Sequence, residues 1–370
     1  MPTSPGRTSS RASARVGLSA VIISVEGTTP LLLTVEASAA FPGEDAGFPG
    51  DDAGGGPGLA CLPGAHLDDS LDGTLEQGVR RLVSTQTGLP VRYFEQLYTF
   101  GDRDRVPGER ELAVAYLALV RYQAVQGPGC PRWQDFYQLF PWEDWRNGRP
   151  EVIDRAIIPA IEAWLAASAP DRLATRTERA DLTFGLRHAR WDPVRVLDRF
   201  ELLYELRLAD EAAARLAAGP ARAAARVSPT PGSSGGSRRR GGPREAADGA
   251  WQPRARSTGL GVPLALDHRR IAAAALERLR GKLAYRPVVF EVLPESFTLS
   301  RLQQVVEAFA GQALHKQNSR RLVGAANLVE PTGEEDLRTG GRPAELYRFR
   351  REVLRERPAP GLGLRRLGGP

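Results

Sequence analysis

The chain has 370 residues, 42% of them hydrophobic, enough for two domains with real cores at ~100–200 residues each. The formal net charge of +6 is unevenly placed, with −7 over residues 1–218 and +13 over residues 219–370. Two cysteines, Cys61 and Cys130, exclude a disulfide framework and a CxxC metal site, and no apolar run reaches the ~18 residues of a membrane span, so a cytoplasmic protein is expected.

In chain order, the Ser/Arg-rich residues 1–14 carry no core-forming pattern and are expected to be disordered. Residues 17–25 and 31–36 read as two strands joined at Gly27–Pro30, which favours a hairpin over a secretory leader. Residues 42–58 are a Gly/Pro/Asp loop. A helix is expected over 71–88, strands over 91–99 and 112–121, and an amphipathic helix over 151–167. Helical spacing returns over 193–218, where Val196, Leu197, Phe200, Leu203 and Tyr204 share a face. Residues 219–258, rich in Pro, Gly, Ser, Ala and Arg, cannot bury enough apolar surface to order themselves and read as a linker. A helix follows over 269–283 and stops before Pro287.

The last segment reads as a unit of its own. Thr298 caps a helix with Leu302, Val305, Val306 and Phe309 inward, and Gly311 ends it. A second helix covers 315–326, with Leu322, Val323 and Ala326 inward and Lys316, Gln317, Asn318, Arg320 and Arg321 largely outward. A polar loop, LVEPTG, leads to a strand in which Tyr347 and Phe349 point one way and Arg348 and Arg350 the other. Helix, turn, helix and hairpin make a winged helix-turn-helix. Its second helix enters the major groove, where Arg, Lys, Asn and Gln donate to base edges, and Arg338 and Arg342 at the wing reach backbone or minor groove. A helical protein-interaction domain with exposed basic residues remains the alternative on pattern alone. His66, His188, His268 and His315 are too scattered for a metal cluster or a triad, and His315 starts the second helix as a phosphate contact or a cap.

The stretch from AYRPVVFEVLPESFTLS to AELYRFR resembles the C-terminal domain of the Nudix-related transcriptional regulators, bacterial repressors of NAD biosynthesis genes. One departure is Ser319, where that family carries an aromatic; a Ser on the buried side forgoes ~2–3 kcal/mol of apolar burial. Upstream, LPGAHLDDSLDGTLEQGVRRLVSTQTGL resembles a degraded Nudix box. With the motif anchored on Thr87-Gly88-Leu89, Arg81 falls on the motif Arg, while Gly73, Leu82, Thr85 and Gln86 stand where the metal-holding glutamates belong. Asp68, Asp69, Asp72 and Glu76 are nearby carboxylates, read as solvated helix-entry residues. YFEQLYTFGDRDR and the run FYQLFPWEDWRNGRPEVIDRAIIPAIEAW resemble the same family, the latter its proteobacterial and actinobacterial branch. Trp142 and Trp145 in that run are candidates for base stacking, against core or interface packing.

The resemblance implies an α+β chain. A Nudix-like α/β/α sandwich with a mixed sheet spans 15–168, a helical connector 169–218 and a linker 219–258. A connector helix with the winged helix-turn-helix spans 262–355, followed by a flexible tail over 356–370. It further implies a homodimeric repressor of NAD or nucleotide metabolism genes that binds a double-stranded operator. ADP-ribose, NAD or ATP is sensed in a cleft lined by Arg81, Glu95, Gln96, Tyr98 and Arg105, with no resident cofactor or metal and no membrane association. An active Nudix hydrolase of nucleoside-diphosphate derivatives is the alternative, and the missing glutamates weigh against it.

Overall fold

The computed structural model describes residues 14–37, 59–102, 105, 110–211, 260–315, 317, 321, 323, 324, 326–337, 343–356 and 361. The sequence expectations for 1–13, 42–58, 212–258 and most of 356–370, and those for Lys316, Asn318, Ser319, Arg320, Leu322, Arg338 and Arg342, lie outside the described residues.

The first hairpin forms as its residues dictate. β1 (Arg15–Glu26) and β2 (Thr29–Glu36) pair antiparallel around the two-residue turn Gly27–Thr28. β1 also runs parallel to β6 (Glu111–Leu119), from Arg15↔Glu111 to Ile23↔Leu119, and β6 pairs antiparallel with β5 (Tyr93–Phe100). With β3 (Ala60–Cys61) beside β2, the order is β3-β2-β1-β6-β5; β4 (Gly64–His66) adds to β1 and β7 (Arg132–Asp135) to β2. β1 is central, so both of its faces are covered, which is why its sequence is almost continuously apolar. Leu18, Ala20 and Ile22 face α1 (Leu75–Thr87) through Val79, Leu82 and Val83, while Val21, Ile23 and Val25 face a larger helical body.

That body is built from α2 (Phe136–Leu139), α3 (Ile158–Ala166), α4 (Pro170–Phe184), α5 (Val196–Glu205) and α6 (His268–Leu283). The amphipathic segment at 151–167 begins with a π-helical turn at Ile153–Ile157. β7 was not anticipated from the sequence, while α4 falls in the helical connector expected over 169–218. Of the helical segment expected over 193–218, α5 covers Val196–Glu205, the chain breaks at Arg207 with a positive φ of 56°, and residues 210 and 211 are helical again.

The winged unit comprises β8 (Ser296–Thr298), α7 (Leu299–Ala310), β9 (Val329–Asp336) and β10 (Ala344–Phe349), the strands ordered β8-β10-β9. Thr298 caps α7 by accepting from Arg301 N at 3.1 Å, as expected. The stretch expected as a polar loop after residue 327 is instead strand β9. Its apolar side is continuous with that of the body: Leu302, Val305, Val306, Phe309, Val323 and Leu328 join the same buried cluster as Ile23, Leu97 and Phe200. Among the described residues no helix is long and apolar enough to cross a membrane.

Candidate functional site

Two places carry the functional expectations: the outer face of the second helix of the winged unit, and the region around the box helix α1.

At the first, Gln317 and Arg321 are helical and exposed, on the opposite side from buried Val323. His315, just before them, is exposed. The wing strand β9 is acidic, with Glu330, Glu334, Glu335 and Asp336, and its Glu335 stands opposite Glu345 of β10. Arg348 neutralises Glu330 at 2.6 Å. Phe349 stacks on Phe290 at 4.3 Å and so turns inward, as its alternation with Arg348 requires. Among the described residues the two wing strands β9 and β10 therefore carry a net negative charge.

At the second, α1 is capped by Thr74, which accepts from Gln77 N at 3.2 Å, and ends at Gly88 in the left-handed region. Arg81 forks onto Asp72 at 2.8 and 2.7 Å, and this bond holds the Asp72 carboxyl below its usual range. Leu82 is buried in the core beneath the helix. Gln86 is buried and uses both ends of its amide on one glycine: its Oε1 accepts from Gly64 N at 3.0 Å and its Nε2 donates to Gly64 O at 2.9 Å. Of the box positions that hold a divalent cation in the hydrolases, one is thus packed in the core and another locks a loop. Asp72, the nearest buried carboxylate, is matched by Arg81. Among the described residues no group of three or more His, Cys, Asp or Glu side chains is placed to hold a metal ion.

The five residues expected to line one cleft are not brought together. Arg81 lies on the α1 side of the sheet. Glu95, on β5, faces the other side and binds α6: Lys282 Nζ at 2.6 Å, Arg278 Nη1 at 3.1 Å, with the Tyr93 hydroxyl donating at 2.6 Å. Burial pushes the Glu95 carboxyl up, and these partners more than reverse it, leaving it below the usual range. Arg105 is buried between Glu111 and Asp267, the residue that precedes α6, bonding Asp267 at 2.9 Å. His66 completes this group at 3.1 Å from Glu111; burial raises the Glu111 carboxyl, and His66 and Arg105 bring it down. Gln96 and Tyr98 stand exposed on β5, the edge strand. Two of the five, Glu95 and Arg105, therefore fasten α6 to the sheet.

The sequence reading missed a third constellation. Glu143 is fully buried between Arg199 of α5, whose Nε is 2.5 Å away, and Arg280 of α6. Burial raises its carboxyl, and the two guanidinium charges overcome that and hold it ionised. Trp142 beside it is fully buried, and Trp145 packs on Trp191 with ring centroids 4.5 Å apart, so both tryptophans serve packing. The sequence signal was the aromatic-rich PWEDW run itself. The basic partners of Glu143, at 56 and 137 residues' separation, have no local trace.

Comparison with known proteins bears on both places. Residues 289–349 match the family model of the NrtR DNA-binding winged helix domain. A curated relative, the ADPR responsive transcriptional repressor NtrR of Acinetobacter baylyi, is 37% identical over 90 residues, covering 24% of this chain and 36% of that one. The chain thus spans about a third of the length of this relative. Among solved structures, Shewanella oneidensis NrtR complexed with a 27mer DNA aligns over 91% of this chain and 94% of that one, at 21% identity and a TM-score of 0.48. The NUDIX domain of Shewanella oneidensis NrtR complexed with ADP ribose aligns over 33% and 73%, at 27% identity and a TM-score of 0.27. Residues 289–349 are thus similar to the NrtR DNA-binding winged helix domain.

Proposed function

We propose that this chain is a DNA-binding transcriptional repressor whose N-terminal unit senses a nucleotide, ADP-ribose first among the candidates. The observation that carries the reading is the winged helix match at residues 289–349, on a segment that folds as helix, helix and hairpin with Gln317 and Arg321 exposed on its second helix. The ADP-ribose response of the Acinetobacter baylyi relative supports the choice of effector. Genes of NAD metabolism are the targets that the sequence resemblance implies. A homodimer suits the task, because two reading helices about one helical turn apart match a palindromic operator. Such a regulator works in the cytoplasm and needs no resident cofactor.

We place the sensor among regulators rather than hydrolases because Leu82 and Gln86 occupy glutamate positions of the box and are spent on core packing and on Gly64. Selection from randomised duplexes is expected to enrich a palindrome bound at about 10⁻⁸ M or tighter at physiological salt. Arg321→Ala is expected to cost about 1–3 kcal/mol of that affinity. ADP-ribose is expected to weaken binding at least about fivefold. A pool with no enriched duplex defeats the repressor reading. Turnover of ADP-ribose with magnesium near about 10 per second defeats the sensor reading in favour of the hydrolase.

A further inference from the structure

The winged unit is fastened to the body near both ends of its first helix, by Arg301 at the start and by a denser set of bonds at the C-terminus. A helix C-terminus leaves carbonyls without intrahelical partners. At α7 these are met by donors from outside the winged unit. The Tyr137 hydroxyl donates to Ala308 O at 2.7 Å, Arg280 Nε to Phe309 O at 3.2 Å, and Trp145 N to Gly311 O at 2.7 Å. The Arg280 charge also sits at the negative end of the helix dipole. Arg280 is itself held: Glu143 binds its Nη1, and Nη2 donates to Glu143 O at 2.9 Å and to the Tyr137 hydroxyl at 3.3 Å. A charge this deep is retained only with its partners, since leaving either ion alone in the core is heavily penalised.

Two residues to either side of Arg280, about half a helical turn, α6 is gripped from its other face. Lys282 and Arg278 bind Glu95, and Arg278 Nη2 also donates to Leu97 O at 3.2 Å. Residues 278, 280 and 282 thus tie the edge strand β5 to the end of α7, from which the chain passes directly to the reading helix. Coupling between distant sites is carried by contiguous sets of packed and bonded groups of this kind.

We propose that Arg280, set in place by Glu143 and Tyr137, is the positioning residue that fixes the helix-turn-helix on the sensor body and relays a displacement of β5 to it. This inference rests on the repressor reading above.

The test compares the full-length protein with Tyr137→Phe, which removes one donor and keeps the ring, and with Arg280→Lys, which keeps the charge and loses the fork. Operator affinity is measured with and without ADP-ribose, alongside ADP-ribose affinity of the free protein. In both variants the ADP-ribose effect on operator affinity is expected to shrink at least about threefold, while ADP-ribose affinity of the free protein stays within about twofold; couplings of this kind span about 5–150-fold. An effect of wild-type size in both variants overturns the proposal, and so does a parallel loss of ADP-ribose affinity, which marks a binding residue. Amide exchange separates the two failures. Tyr137→Phe is expected to speed exchange at Trp145 and Gly311 at least about fivefold, with β1 unchanged. Unchanged protection there overturns the joint even if the wild type never responds to nucleotide; faster exchange without any DNA binding overturns the repressor reading instead.

Discussion

His268 shows how much a single residue owes to partners that the sequence does not display. Its Nδ1 accepts from Leu62 N at 3.0 Å, across 206 residues. Burial, with Arg105 nearby, lowers its pKa to about 3. An unfolded histidine takes up a proton near pH 6.5, whereas this one stays neutral in the fold down to about pH 3. Between those values the unfolded chain binds the extra proton, so stability falls as the pH falls, by up to about 1.4 kcal/mol per pH unit. Denaturant unfolding at pH 6.5, 5.5 and 4.5 is expected to show a shallower pH slope in His268→Asn than in the wild type; equal slopes would mean that another group carries the acid sensitivity. The residue types at Arg81, Glu95 and Arg105 were legible as functional candidates, but their partners were not. Asp267 lies 162 positions from Arg105, and Lys282 meets Glu95 only because α6 crosses the sheet.

Among elements, those with a strong period were readable. β1, β2, α1, α6 and α7 fall close to where alternation, caps and apolar spacing put them. β9 was not, because VEPTGEED is rich in residues that disfavour strands. It pairs with β10 at the edge of a three-stranded sheet, a place that tolerates Pro331. The joint at the end of α7 was invisible for a related reason: Gly311 looks like an ordinary helix stop. Its φ is 67°, and a Cβ there would meet Glu143 O at 2.5 Å and the Tyr137 hydroxyl at 2.8 Å. Gly311→Ala therefore combines left-handed strain with overpacking. It is expected to lower stability by about 1–3 kcal/mol, read from the urea midpoint at constant slope. Operator affinity is expected to drop beyond what the unfolded fraction explains. Full operator binding by the folded variant would show that the angle at this joint tolerates change.

For the whole molecule, the sequence suggests separable units, with charge and composition changing sharply past residue 218. In the structure, the apolar cluster runs without a break from the sheet through α5 and α6 into α7, and Arg301 of α7 reaches back to Val25 O at 2.9 Å. One calorimetric transition is therefore expected, with circular dichroism and tryptophan fluorescence superimposing. Two resolved transitions would mean that the winged unit is stable by itself and that the shared core contributes little. Continuity of the core also changes what the chain between residues 211 and 260 has to do. Glu211 and Leu260 both bind the Arg269 guanidinium, at 2.7 and 2.9 Å, so the backbone leaves the body and re-enters it at nearly the same point. Closing a longer loop at such a point adds only about 0.6 kcal/mol per doubling of its length. That makes this position the natural port of the molecule: a foreign domain could be spliced in there with the winged unit still registered on the body.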